Sequence, residues 1–167
     1  MTRFGIGYDA HPLLVGTSLV LAGVVVPFDR GLEGHSDGDV ATHAIIDALL
    51  GAAALGDIGT HFKAHDPDVP EGIASITLLE RTASMLEASG WQVGNVDATI
   101  VAQLPRLAEH ITAMRSAISQ ALSTGIENVS IKATTEDGLG FSGAGDGIAA
   151  MAVAGIVERG STGGRSR

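Results

Sequence analysis

The chain has no cysteine, which removes disulfides, thiolate nucleophiles and Cys-ligated zinc, so any metal it holds must be taken by histidine and carboxylate. Lysine is scarce, Lys63 and Lys132 alone, and 10 basic residues face 19 acidic ones for a formal net charge of -9. Such a surface repels nucleic acid and anionic lipid, and neither is an expected partner. An anionic small molecule would have to be met locally, by metal ions, a helix N-terminus or a few placed cations. No apolar run approaches the ~18 to 20 residues that span a bilayer. The first residues enter "RFGIGYDAH" without the basic and apolar regions of a signal peptide, and the expectation is a cytoplasmic protein. Also missing are a G-x-x-x-x-G-K-[ST] phosphate loop and an H-E-x-x-H helix.

What is present fits one domain. At 167 residues and 45% hydrophobic content the chain can bury one core, placed here in residues 1–158. The remainder, "RGSTGGRSR" at 159–167, is rich in Gly, Ser and Arg, and its composition predicts a disordered tail. In "RFGIGYDAH", Phe4, Ile6 and Tyr8 alternate with glycines as in a strand, while "SLVLAG" and "VVVPF" suggest a hairpin. Spacing and alanine content predict a helix from about Asp37 to Leu55, capped by Ser36 or Asp37 and stopped at Gly56. "HFKAHDPDVPEG" reads as a mobile loop and "IASITLLERTASMLEAS" as an amphipathic helix closed by Gly90. "WQVGNVDATIVAQ" and "NVSIKATT" read as strands, with Pro105 in the first turn of a helix between them that runs to about Ser123. "IAAMAVAGIVE" fits a buried strand, and its period fits a helix as well. The sum is an α+β domain of two layers, helices packed on one face of a mixed sheet.

Residues i and i+2 of a strand share a face, so Asp9 and His11 can present a carboxylate and an imidazole side by side. His43 on the following helix offers a third ligand, giving Asp/His/His with an open fourth position; Asp47, four residues on, could orient the His43 ring. Taken singly, each histidine is more ordinary as a surface or satisfied core residue. His35 and Ser36 stand at the helix start, where free N–H groups favour an anion such as phosphate; equally, Ser36 caps the helix and Asp39 completes a capping box. "TTEDGLGFSGAGDG" carries Thr hydroxyls, carboxylates and a glycine loop that suit a second, hard divalent cation on phosphates. The residues alone lead to phosphate ester or diphosphate chemistry at a His/Asp metal site.

Together, "GYDAHP", "GHSDGDVATHAIIDALLGAAALGDIG", "GNVDATIVAQLPRL", "IKATTEDGLGF" and "SGAGDGIAA" resemble, in order and spacing, the 2-C-methyl-D-erythritol 2,4-cyclodiphosphate synthase family, over residue 3 to about residue 158. That resemblance implies a lyase of the non-mevalonate isoprenoid pathway. It would convert 4-diphosphocytidyl-2-C-methyl-D-erythritol 2-phosphate into the cyclic diphosphate and CMP by intramolecular phosphoryl transfer. It implies zinc on Asp9, His11 and His43, and a magnesium or manganese ion on Asp137 and the substrate phosphates. His35 and Ser36 would meet the methylerythritol phosphate, Asp57 and Gly59 the ribose and substrate hydroxyls, and Ala102 to Leu107, including Pro105, the cytosine. Arg106 would lie near the diphosphate and Ala133, Thr134 and Thr135 would close the pocket, with His35, Thr135 and Asp137 in catalytic roles. The family's sites form between subunits of a homotrimer.

The chain departs from the family pattern in four places. Thr134-Thr135-Glu136-Asp137 replaces Thr-Thr-Thr-Glu/Asp, so Glu136 stands beside Asp137 as a competing ligand; Ala144 replaces an arginine; the loop Phe62-Lys63-Ala64-His65-Asp66 lacks Pro-Asp after Phe; and Arg106 stands where lysine is frequent. Two rival readings keep the same residues: a metal-dependent phosphodiesterase that activates water, and a non-catalytic cytidine-nucleotide-binding trimer.

Overall fold

A computed structural model describes residues 1–160; residues 161–167 of the expected tail lie outside the described part. Within it, "RFGIGYDAH" builds a long first strand, β1 (Thr2–Val15), and its alternation runs opposite to the usual one. Phe4, Ile6 and Tyr8 are exposed at 71%, 73% and 57%, while Gly5 and Gly7 face a helix, α1 (Val40–Ala52). A Cβ on Gly5 would stand 2.0 Å from the Ala48 carbonyl oxygen, and one on Gly7 2.0 Å from that of Ala44. Helix α1 therefore lies directly on the strand backbone, in contact that only glycine permits.

Strands β2 (Leu19–Leu21) and β3 (Val24–Val26) form the expected hairpin. The main sheet adds β4 (Arg30–Leu32), β5 (Trp91–Val101), β6 (Val129–Thr134) and β7 (Gly147–Glu158), in the order β4-β1-β7-β5-β6. All pairings are antiparallel except β5 with β6. A parallel pair needs a crossover, supplied by a helix between them. The "IAAMAVAGIVE" segment is a strand, the central one: Ala150, Ala152 and Ala154 are buried while Met151 and Val153 stand exposed on the other face. Cross-strand register puts Ile6 opposite Val153 and Tyr8 opposite Met151, so the open face of the sheet carries a continuous apolar stripe.

Helix α1 is buried on nearly all sides, all but Asp47 and Gly51. The short α2 (Ile58–His61) follows, then α3 (Ser75–Ala88), α4 (Ile111–Ala121) and a one-turn α5 (Gly140–Ala144). Among the described residues no helix is long and apolar enough to cross a membrane.

Three boundaries differ from expectation. The cap of α1 is Asp39, neither Ser36 nor Asp37. Its carboxylate accepts from Thr42 N (3.0 Å) and Thr42 Oγ1 (2.6 Å), and also from Ala22 N (2.8 Å) and Gly23 N (2.7 Å) in the hairpin turn. Burial pushes the Asp39 carboxyl pKa up, and these donors pull against it. A side chain that satisfies two elements at once outcompetes a solvated cap, so the helix starts at Val40, and it ends at Ala52, before Gly56. The helix expected from Pro105 begins only at Ile111: Ala102 still pairs with β6, its N–H donating to Thr134 O at 3.0 Å, and a turn closed by His110 N on Leu107 O at 2.9 Å comes before the helix. At the C-terminal end Arg159, expected in the tail, packs on the domain: its N–H donates to Gly90 O at 2.9 Å and its guanidinium pairs with Glu87.

The Gly7→Ala variant should lose at least ~3 kcal/mol of stability, the range of severe core overpacking, since the added methyl meets backbone and no flexible side chain. Urea unfolding checks this; a loss under about 1 kcal/mol would mean that α1 can retreat from β1.

Candidate functional site

At the end of their close contact, β1 and α1 bring three side chains together. Asp9 and His11 project from the helix-facing side of β1, and His11 Nε2 lies 2.9 Å from Asp9 Oδ2. His43, in the first turn of α1, aims Nδ1 at the same oxygen, also at 2.9 Å. The two rings stand edge to face with centroids 5.5 Å apart. One carboxylate oxygen facing two imidazole nitrogens is satisfied either by ring N–H groups or by a cation between them. Burial alone would raise the Asp9 pKa, but hydrogen bonds from His11 and His43 outweigh it and hold the carboxyl well below the usual carboxylate range; Asp9 in turn raises the pKa of His11. One ligand atom from each residue lies within 4.8 Å of the others, the one such group among the described residues. Tetrahedral ligands at ~2.0 to 2.2 Å from a metal sit ~3.3 Å apart, so small ring rotations would open the cluster around a divalent ion. The donor set fits a metal.

The cluster faces a cavity of about 280 Å³ whose wall includes His35, Ser36, Ile58, Gly59 and Ala64. His35 Nε2 is held by the Val69 carbonyl at 2.8 Å. Asp57 caps α2, one carboxylate oxygen accepting from Thr60 N (2.8 Å) and Thr60 Oγ1 (2.7 Å), and these bonds lower its pKa. Asp47 does not orient His43: its Oδ1 accepts from Ile58 N at 2.8 Å. The i+4 spacing does place Asp47 near the ring, but the start of α2 supplies a free N–H and the ring's other nitrogen is already occupied. That nitrogen, Nε2, meets Ser75 Oγ at 2.9 Å and Ser36 Oγ at 3.0 Å. Ser75, at the start of α3, has no sequence signal beyond a helix beginning.

A second cavity of about 470 Å³ lies by β5 and β6 and joins two segments that are distant in sequence: Ala102, Pro105, Arg106 and Leu107 from one, Ala133, Thr134 and Thr135 from the other. The Leu104–Pro105 peptide is cis. Gln103 Oε1, buried here, has no hydrogen-bond partner among the described residues; no spacing rule singled it out. Beyond β6, Thr135 Oγ1 donates to Asp137 Oδ1 at 3.0 Å, and Glu136 is engaged by the Ser142 hydroxyl. Thr135, Glu136 and Asp137 are all exposed.

In one chain these are two separate cavities. The register aligns Ala10 with Ala149 and Ala149 with Val101, so β1 and β5 are two strand spacings apart, about 10 Å, with both cavities at the same end of the sheet. One is lined by the Asp9, His11 and His43 cluster with His35 and Ser36; the other is edged by Arg106.

Comparison with known proteins bears on this arrangement. The model of the YgbB family matches residues 2–157. A 2-C-methyl-D-erythritol 2,4-cyclodiphosphate synthase from Clostridium perfringens is 49% identical over 156 residues, 93% of this chain and 99% of the relative. The bifunctional IspDF of Campylobacter jejuni has a solved structure similar to this chain at TM-score 0.89 and 36% identity, covering 95% of this chain and 43% of that one. The CDP complex of IspF from Plasmodium falciparum matches at TM-score 0.82 and 29% identity, over 95% and 97% of the two chains.

The His43→Ala variant should lose stoichiometric divalent metal, because two ligands remain where three are needed. Elemental analysis after gel filtration checks this, and full metal content in the variant would remove His43 from the ligand set.

Proposed function

The chain belongs to the YgbB family, and we propose that Asp9, His11 and His43 hold the zinc ion with which it converts 4-diphosphocytidyl-2-C-methyl-D-erythritol 2-phosphate into 2-C-methyl-D-erythritol 2,4-cyclodiphosphate and CMP. The carrying observation is the Asp9 carboxylate oxygen flanked by two imidazole nitrogens at 2.9 Å, opening onto a cavity beside the helix start.

The reaction needs no protein nucleophile. An oxygen of the substrate's 2-phosphate forms a bond to the β-phosphorus, the bond from that phosphorus to the bridging oxygen breaks, and CMP leaves with the electron pair. Catalysis then rests on alignment and on neutralising charge; effective molarities of ~10⁵ to 10⁸ M make holding the two phosphates together worth ~7 to 11 kcal/mol. When bound, zinc and a magnesium or manganese ion would supply Lewis acidity and charge neutralisation at the diphosphate oxygens. The chain's own groups do the holding. His35, tethered through Nε2 to Val69 O, keeps its other nitrogen for the 2-phosphate, and Ser36 adds a hydroxyl. Asp57 has one carboxylate oxygen committed to Thr60 and the other free for a hydroxyl, next to the exposed Gly59 backbone. The slot of Ala102, Pro105, Leu107, Ala133 and Thr134 takes the cytosine, with Arg106 and Thr135 toward the diphosphate. Asp137 is the ligand for the second cation, because Glu136 is turned to Ser142. Residues 1–158 form the domain that does this.

The separation of the two cavities supports sites built between copies, with the cytosine slot of one chain completing the cation site of another. The stripe of Phe4, Ile6, Tyr8, Met151 and Val153 supports the same reading: large apolar groups aligned on an open sheet face are cover surface for an assembly, which we take to be a homotrimer. Sedimentation equilibrium at micromolar concentration should give three times the chain mass; a monomer that turns over substrate would sink both the trimer and the shared site.

Phosphorus NMR of the protein with substrate, zinc and magnesium should show the cyclic diphosphate and CMP, both abolished by chelator. Acyclic phosphate products would point to water as nucleophile, and a bound but unchanged substrate to a binding protein. In the same assay Asp137→Asn should cost at least tenfold more activity than Glu136→Gln, roughly the loss of a charge-bearing ligand; the reverse order would transfer the second cation to Glu136.

A further inference from the structure

We infer that Ser75, with Asp37 behind it, is a positioning residue that fixes His43 in the tautomer able to bind metal. The inference rests on the reading that Asp9, His11 and His43 hold a cation. A neutral imidazole coordinates through its unprotonated nitrogen and needs an acceptor for the N–H on the other. His43 turns Nδ1 toward Asp9 and Nε2 toward two hydroxyls, Ser75 Oγ at 2.9 Å and Ser36 Oγ at 3.0 Å.

A serine hydroxyl does not by itself choose a tautomer, since it can donate to the ring or accept from it. The choice is made by where its own proton goes. Ser75 Oγ is in contact with the carboxylate oxygen Asp37 Oδ1 and lies 3.1 Å from the Ser36 hydroxyl. The carboxylate is the stronger acceptor. With its proton on Asp37, Ser75 has only lone pairs to offer His43, so when a cation takes the place of the Nδ1 hydrogen facing Asp9, Nε2 carries the hydrogen and Nδ1 is left bare toward the cation. Asp37 is itself braced: its N–H donates to Ile73 O at 3.0 Å, and its Oδ2 accepts from Ser75 N at 3.1 Å.

The two hydroxyls are not equivalent. Ser36 is half-buried on the cavity wall and can turn to a substrate oxygen, whereas Ser75 is fully buried at 0% exposure and cannot leave. Nor is the Ser75 hydroxyl explained as a helix cap. The N-cap of α3 is Ala74, and the stabilising contact at that helix start runs from Ser75 N to Asp37. Ser75→Ala would keep that backbone bond and remove only the relay.

The test is zinc affinity of the full-length protein by chelator competition, beside thermal unfolding of the metal-free protein and ¹⁵N correlation spectra of the histidine rings. The zinc-loaded parent should show His43 protonated at Nε2. Ser75→Ala should weaken zinc binding about 10- to 100-fold, the usual cost of removing a hydrogen-bond partner of a metal-bound histidine, with a mixture of tautomers and a metal-free melting temperature within a few degrees of the parent. Should Ser75→Ala not fold, Asp37→Asn reads the same relay, because its amide can donate to Ser75 Oγ and free the hydroxyl proton toward His43. Affinity within about twofold of the parent in the folded variant, or a zinc-loaded parent ring protonated at Nδ1, would overturn the inference. A parent that takes up no zinc would instead overturn the metal reading, before any variant is compared.

Discussion

The backbone contact between α1 and β1 is the constraint on which the rest of the molecule depends. Gly5 and Gly7 remove every side chain between the helix and the strand, and the resulting closeness lets His43 reach the carboxylate that Asp9 projects from the same strand. The same choice has a second result. With glycine on the inner face, the bulk of β1 goes outward, so Phe4, Ile6 and Tyr8 line the open face of the sheet beside Met151 and Val153. A chain that builds its candidate cation site in this way also leaves an open apolar face, the one the proposed assembly would cover. In the proposed trimer, site and assembly are two consequences of one strand pattern.

The polar segment "SDGD" works as a junction of four elements. Asp39 joins the hairpin turn at Ala22 and Gly23 to the first turn of α1, and Asp37 joins the start of α3 to the same loop. Neither carboxylate is spent on solvent. Leaving one of several buried N–H groups unpaired costs ~1 to 3 kcal/mol, so these bonds set the loop's shape and with it the positions of His35 and Ser36. The hydroxyls of Ser36 and Ser75 then meet the ring of His43 from behind. Support and ligand are a single hydrogen-bonded unit, reaching from the helix start to the cation site.

A protein with formal charge -9 that handles a diphosphate must concentrate what positive character it has. In the proposed reading it does so with few groups: Arg106 at the slot and a triad whose electrostatics favour a cation, as the depressed Asp9 and raised His11 pKa values express. In that reading metal ions carry the charge that lysines do not.

Much of this was legible in the residues themselves, for reasons of short range. The period of two puts Asp9 beside His11, turn and cap residues punctuate the strands and helices, and the absence of cysteine leaves only His and carboxylate for a metal. Where sequence reasoning missed, the competing partner lay far along the chain. Asp47 was drawn to His43 by i+4 spacing but is held by Ile58 N; the cap of α1 moved to Asp39 because a hairpin 16 residues upstream shares it; the helix after Pro105 starts late because its approach is pinned to β6. The sequence by itself determined the ligand types, the strand pattern and the helix that carries His43. Only the tertiary structure decided which groups meet, that Asp9 faces His43 across 34 positions and that Ser75 stands behind the ring. Local spacing fixes direction along one element, while contact between elements depends on how closely two backbones can approach.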